Sequence, residues 1–235
     1  MSSIAAKLQQ VRQRITRACD GAGRPAQSVT LLAVSKTFGA TPVREAHAAG
    51  QRDFGENYVQ EALAKMDALA DLRAELRWHF IGPLQSNKTR AVAEGFDWVH
   101  SVDRLKIAQR LAEQRPAHLP PLQLCLQVNI SGEASKSGLR PDEVHAVAQA
   151  VAALPAQRVR LRGLMAIPEP VEDAAAQRRP HRALHELLTA LNASGLALDT
   201  LSMGMSADLE AAVAEGATLV RVGTAIFGVR DVSRP

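Results

Sequence analysis

Val29-Thr30-Leu31-Leu32-Ala33-Val34-Ser35-Lys36-Thr37 is the stretch on which the fold turns. Six residues of its first six positions are apolar or β-branched, and the run is too short for a helix of ordinary length. It reads as a strand buried on both faces, of the kind found in parallel sheets. Its polar end, Lys36-Thr37, then lies where such a strand opens onto a site. Seven more runs of this kind follow: Asp53–Gly55, Trp78–Gly82, Trp98–Val102, Leu122–Ile130, Val159–Ile167, Thr200–Gly204 and Leu219–Gly223. Ala- and Leu-rich stretches with helical spacing separate them, among them Thr41–Ala49, Asn57–Leu72, Asp103–Glu113, Pro141–Ala153 and Glu172–Ala193. About eight strand–helix units predict a single (β/α)₈ barrel of the TIM type. A doubly wound open sheet is the alternative, but it uses fewer strands at this length.

No linker or shift in composition divides the chain, so residues 1–235 read as one domain. Residues 1–20 add an amphipathic helix before the first strand, with Ile4, Leu8, Val11, Ile15 and Ala18 on one stripe. Thr41-Pro42 predicts a capping hydroxyl before a proline at the first helical position. Pro141-Asp142-Glu143 places acids in a first turn, where the helix dipole favours them.

The chain has 28 Lys plus Arg against 24 Asp plus Glu, a net charge of +4, with 46% hydrophobic residues. That is a globular composition and not a disordered one. The charges are mixed and only 3% of residues are aromatic. A nucleic-acid binder that stacks bases needs basic clusters with aromatics among them, so nucleic acid is not the expected partner. No apolar run reaches the roughly 20 residues that span a bilayer, and no signal-peptide core is present, so no membrane partner and a cytoplasmic location are expected. Cys19 and Cys125 are too few for a disulfide framework or a thiolate metal site and read as reduced, buried, small hydrophobes.

Side chains alternate along a strand, so Lys36 shares the face of Leu32 and Val34. If that face is the barrel interior, Lys36 is expected in a low-dielectric site that lowers its pKa and makes the amine a nucleophile for carbonyls. The bland alternative is a lysine at the rim, or one paired with a carboxylate such as Glu56. Two late segments favour the chemical reading. Leu201–Glu210 runs from a strand end into a helix start, with Ser206 placed to hold an anion. Leu219–Gly228 holds Gly223, which permits close backbone approach, and the hydroxyl of Thr224. These follow the seventh and eighth strands, where barrels of this type bind phosphate.

At this point the chain resembles the pyridoxal phosphate homeostasis proteins, also called PLP-binding proteins, whose barrel is similar to the N-terminal domain of alanine racemase. The matching segments are LLAVSKT at 31–37, FGENYVQE at 54–61, WHFIGPLQSNK at 78–88, VHSVD at 99–103, QVNISGEASKSG at 127–138, LRGLMAIP at 161–168, LSMGMSADLEAAVAEG at 201–216 and VRVGTAIFG at 220–228. The segments Asp67–Arg77 and Glu169–Pro180 match no motif of the family. The resemblance implies a fold-type III barrel with pyridoxal 5'-phosphate (PLP) held as an aldimine on Lys36. It implies that Ser206, Gly223 and Thr224 hold the phosphate, that Arg221 lies near the pyridine nitrogen, and that Asn57 and Met203 line the site. It further implies storage, buffering or delivery of PLP, with PLP-dependent apoenzymes as partners and little or no catalysis. A single-domain barrel reads as a monomer.

Guanidinium donates hydrogen bonds and accepts none, so a pyridine nitrogen facing Arg221 stays unprotonated and the ring is a weak electron sink. Racemases of the related barrel use two bases, one of them a tyrosine from a second domain. The one tyrosine here, Tyr58, reads as a packed ring on the first turn of a helix. An amino-acid racemase is therefore the second reading, and a Schiff-base aldolase acting on a sugar phosphate the third. His181 and His185 share a helix face and read as solvated, since Arg182 stands where a zinc protease has its glutamate. His79 and His100 lie on strands and read as satisfied buried histidines or as pocket residues. Lys88 and Lys136 sit in loops after strands, where they capture free PLP or are simply solvated.

Overall fold

The computed structural model of the chain describes residues 3–133 and 136–228. Eight strands close into a parallel barrel in sequence order: β1 (Thr30–Val34), β2 (Asp53–Glu56), β3 (Arg77–Phe80), β4 (Trp98–Val102), β5 (Leu122–Gln127), β6 (Val159–Met165), β7 (Thr200–Ser202) and β8 (Leu219–Val222). The closing pair is β1 with β8, with Leu32 opposite Arg221. Closure removes every sheet edge, and each predicted strand run overlaps one of these strands, with Glu56 of β2 and Arg77 of β3 lying one residue outside their runs. The helices are α1 (Ile4–Gly21), α2 (Ala40–Ala48), α3 (Val59–Ala68), α4 (Thr89–Gly95), α5 (Leu105–Gln114), α6 (Pro141–Ala152), α7 (Ala174–Ala193), α8 (Leu209–Ala214) and α9 (Thr224–Phe227).

The main apolar core is the shell between strands and helices. Leu31 and Ala33 of β1 enter it with Phe54, Trp78 and Phe80, all buried. The alternate β1 residues Leu32 and Val34 turn to the axis, where Leu32 stands against Gly55. α1 packs on α2, α8 and α9 through Leu8, Val11, Ile15 and Cys19, one residue beyond the expected stripe. Its N-terminus is capped by Ser3, whose Oγ accepts the Ala6 N–H at 3.2 Å. Both cysteines are free and buried, and burial pushes the Cys125 thiol up to about 12.

One capping expectation is corrected. α2 begins at Ala40 with Gly39 as its cap, so Thr41 and Pro42 already lie inside the first turn. Proline is tolerated there because the first N–H groups of a helix have no intrahelical partner. The acids at the start of α6 are as expected: Pro141 opens the helix and Glu143 accepts the Arg140 N–H at 3.0 Å.

Candidate functional site

The C-terminal ends of the strands form the mouth of the barrel. Lys36 lies there in the turn after β1, two residues past its last paired position. It is exposed, so the expected low-dielectric environment is not found. The Ser35 N–H still donates to the Gly55 carbonyl at 3.0 Å, but the chain turns at Lys36 and Thr37, and the alternation of the strand no longer places the side chain. The anticipated partner is also committed elsewhere: Glu56 pairs with Lys65 at 2.5 Å. Among the described residues Lys36 makes no ion pair.

A buried polar cluster holds this turn. Ser35 donates its hydroxyl to Glu56 at 2.5 Å, and Lys65 donates to the Ser35 carbonyl at 2.9 Å. Glu56 is fully buried and Lys65 is 4% exposed. Burial raises the Glu56 pKa more than Lys65 and Ser35 lower it. Thr37 has φ of 67°, rare for a β-branched residue, and its N–H is donated to Glu61 at 2.6 Å. Lys36 thus sits between a tethered carbonyl and a residue held in the left-handed region.

Beside it, Gly223 ends β8 and caps α9. A Cβ at this position would stand 3.1 Å from the Val34 carbonyl oxygen and 3.3 Å from its Cβ, so β8 approaches β1 more closely than most side chains fit without a small shift. Thr224 and Ala225 are exposed at the start of α9, where their N–H groups have no intrahelical acceptor, whereas those of Ile226 and Phe227 are donated to the Gly223 carbonyl. Ser206 is half-buried in the turn before α8. That turn is fixed from three sides. Asp208 accepts the Met205 N–H at 2.7 Å, His181 meets the other Asp208 oxygen at 2.9 Å, and Arg14 of α1 donates to the Ser206 carbonyl at 2.7 Å while bridging Glu210. Burial raises the Asp208 pKa, and the His181 and Met205 hydrogen bonds outweigh it and bring it below the usual range.

Arg221 is 4% exposed and lies inside the barrel. It donates to the Ser202 carbonyl at 2.6 Å, the Ser202 hydroxyl at 2.8 Å and the Ala166 carbonyl at 2.8 Å. Burial brings its pKa down to about 10, so it stays charged at neutral pH. Asn57 is half-buried, and its Oδ1 is buried without a hydrogen-bond partner. It lines a cavity of about 210 Å³ at the mouth with Ile81, Asn129, Lys136 and Ile167. Met203 does not join this group: it is fully buried in the apolar shell, because it follows inward-facing Ser202 by one position.

Two further expectations are corrected. Tyr58 is 56% exposed at the start of α3 and is not packed. His181 is 1% exposed and His185 hydrogen-bonds the Glu215 carbonyl at 2.9 Å, because this face of α7 packs on α8 instead of facing solvent. Lys136 pairs with Glu133 at 2.6 Å and Lys88 is half-buried. Ala134 and Ser135 of the 127–138 motif lie outside the described residues.

The barrel interior carries polar side chains that sequence reading left undecided. His79 is 3.0 Å from Asp53 and 2.9 Å from His100, and His100 is 2.7 Å from the Ser202 hydroxyl. β4 and β7 are not neighbours in the sheet, so the last contact crosses the barrel. Asp53 also binds Arg77 at 2.6 Å. Burial raises the Asp53 pKa, and the Arg77 and His79 hydrogen bonds overcome this and bring it to about 2. A carboxylate with a depressed folded pKa contributes stability above its unfolded pKa, near 3.8, that is lost as pH falls toward 2. The shift corresponds to about 2 kcal/mol. Asp53→Asn is therefore expected to be less stable than wild type at pH 6, with the gap narrowed to about a third at pH 2.5, as read by urea melts at the two pH values.

Three comparisons bear on this site. The family described as alanine racemase, N-terminal domain, matches residues 6–231. A pyridoxal phosphate homeostasis protein of Pseudomonas aeruginosa is 65% identical over 235 residues, covering 100% of this chain and 99% of the relative. One of Escherichia coli is 54% identical, with full coverage of both chains. Among solved structures, PipY of Synechococcus elongatus with PLP bound is 41% identical with a TM-score of 0.83, covering 96% of this chain and all of that one. Alanine racemase of Corynebacterium glutamicum, 18% identical with a TM-score of 0.65, covers 97% of this chain and 63% of that one and shares the fold. The chain belongs to the pyridoxal phosphate homeostasis protein family, built on the barrel of the alanine racemase N-terminal domain.

Proposed function

We propose that this protein binds PLP with Lys36 as its covalent anchor and serves intracellular PLP homeostasis as a carrier, with little or no catalysis. The observation that carries the reading is Lys36 itself: an exposed amine with no ion pair among the described residues, set at the rim where Gly223 brings β8 against β1. The residues present fit the cofactor. Ser206, Gly223 and Thr224 supply hydroxyls, helix-start N–H groups and close backbone approach for a phosphate. Arg221 supplies donors for a ring nitrogen, and the orphaned Asn57 Oδ1 has room for one. Bound PLP would supply an aldehyde that condenses with a lysine amine, water leaving, in a bond that exchange with another amine reverses. PipY with PLP bound and the names of the curated relatives support the assignment.

The exposed rim suits a carrier, since an anchor open to solvent is open to a competing amine. Met203 enters only as packing behind the site. Racemisation is the second reading, and Tyr58, exposed at the mouth, is the residue that keeps it open. The test measures L- to D-alanine conversion and transfer of PLP to an apoenzyme with the same loaded sample. The carrier reading predicts transfer without conversion, and conversion abolished by Lys36→Ala would replace it. Cofactor-free Lys36→Ala is expected to melt within a few degrees of wild type, because substitution of an exposed side chain away from special contacts changes stability by about 0.5 kcal/mol or less. A large drop in its thermal midpoint would show a structural role for the lysine.

A further inference from the structure

The hydrogen bonds through the barrel form one continuous chain from its base to Arg221. Asp53 opens β2 and Arg77 opens β3, beside a basal cavity of about 500 Å³. From Asp53 the chain runs through His79 and His100 to Ser202 at the end of β7, and then to Arg221. His79 is 1% exposed, and His100 and Ser202 are fully buried.

The direction of every proton follows from the two ends. Ionised Asp53 only accepts, so His79 donates from Nε2. Neutral His79 then accepts at Nδ1, so His100 donates from its own Nε2. Neutral His100 accepts at Nδ1, so the Ser202 hydroxyl donates to it. That leaves the Ser202 oxygen to accept from Arg221, which has no acceptor atom. Both rings must be neutral for this order to hold. The charges near the chain favour that: Arg77 already pairs with Asp53, Arg162 lies over Trp98 at 5.0 Å, and Arg221 is itself buried. A cation on His79 would have to share Asp53 with Arg77, and one on His100 would meet no carboxylate among the described residues. Burial, His79 and Arg221 all push the His100 pKa well down. A chain that ends in guanidinium does not conduct protons. It orients.

We infer that Asp53, His79, His100 and Ser202 are positioning residues for Arg221, a one-way relay that fixes the guanidinium and leaves two of its five N–H groups for a ligand at the mouth. The relay stands on this chain's own contacts. Only its last step, that the ligand atom is the pyridine nitrogen of PLP, rests on the function proposed above. Aligned hydrogen bonds strengthen one another in a low-dielectric interior, so a break at one link is felt at the next.

The full chain without cofactor gives the first test. Long-range nitrogen–proton NMR of the imidazoles at pH 7.5 is expected to show His79 and His100 both neutral with the proton on Nε2. Ser202→Ala, a small change unlike a ring deletion, is expected to free Nδ1 of His100. Its titration midpoint should move up toward the ordinary histidine value of about 6.5, and the Arg221 side-chain signals should broaden. A charged ring or an Nδ1–H tautomer in the wild type would overturn the relay. So would a Ser202→Ala protein whose His100 and Arg221 signals do not move. With PLP added, Ser202→Ala is expected to shift the absorption maximum of the bound cofactor and the pH at which it changes. An unchanged spectrum with changed NMR signals overturns the coupling to the cofactor. A wild type that binds no PLP overturns the functional reading, while the cofactor-free result still decides the relay.

Discussion

Lys65→Met is expected to destabilise the protein by about 3–5 kcal/mol, the range for removing one partner of a buried ion pair. Lys65 is 4% exposed and Glu56 fully buried, and the pair is closed at 2.5 Å. Without the ammonium, Glu56 keeps a hydroxyl from Ser35 and little else, since its second oxygen is already without a partner. Its folded pKa, raised even with Lys65 present, then rises further. A carboxyl with a raised folded pKa binds a proton more readily in the folded state, so the variant should regain stability as pH falls from 7 toward 5. The double variant Glu56→Leu/Lys65→Met should recover most of the loss, because two apolar groups leave no charge unpaired. Denaturant melts of the three proteins at pH 7 and pH 5 check this. The single variant should also hold PLP less well, since the Ser35 carbonyl that fixes the Lys36 turn loses its donor. Equal stability of wild type and Lys65→Met would mean that the pair does not organise this turn.

Gly163→Ala is the second large effect. Gly163 of β6 pairs with Thr200 of β7, and a Cβ there would stand 1.8 Å from the Thr200 carbonyl oxygen and 2.6 Å from its carbon. Those are backbone atoms inside a closed sheet, so no rotamer relieves the clash and one strand must move. Overpacking of a core costs about 1–3 kcal/mol and occasionally more, and a backbone clash belongs at the upper end. The cost should fall on β7, a three-residue strand that carries Ser202. A thermal melt reads the loss, and the Arg221 signals should broaden even below the melting temperature. A Gly163→Ala protein as stable as wild type would require β6 and β7 to lie farther apart than they do here.

The barrel was legible because eight short apolar runs alternate with helical spacing, and each run falls within one residue of covering its strand. The mouth was legible in its parts: Lys36, Ser206, Gly223 and Thr224 all follow strand ends, and a barrel places such segments together. Local rules failed where a partner distant in sequence decides the environment. Lys36 continues the alternation of β1 on paper, but the strand ends at Val34 and the lysine is exposed. Thr41 has the chemistry of a cap, but Gly39 starts the helix. His181 looks like a surface residue until α8 brings Asp208 to it. The interior relay was invisible for the same reason: His100 and Ser202 are 102 positions apart, and strand periodicity gives a facing but not a partner. One signal was available. Asp53, His79 and His100 all lie on runs read as strands, and polar residues at such positions need buried partners.

The central claim is that Lys36 anchors PLP. The most direct test is the absorption spectrum of wild type and Lys36→Ala after PLP is added and the excess removed. The account predicts a visible band in the wild type, retained through gel filtration, and its loss in Lys36→Ala, which still folds. A retained band in Lys36→Ala, or none in either protein, would contradict it.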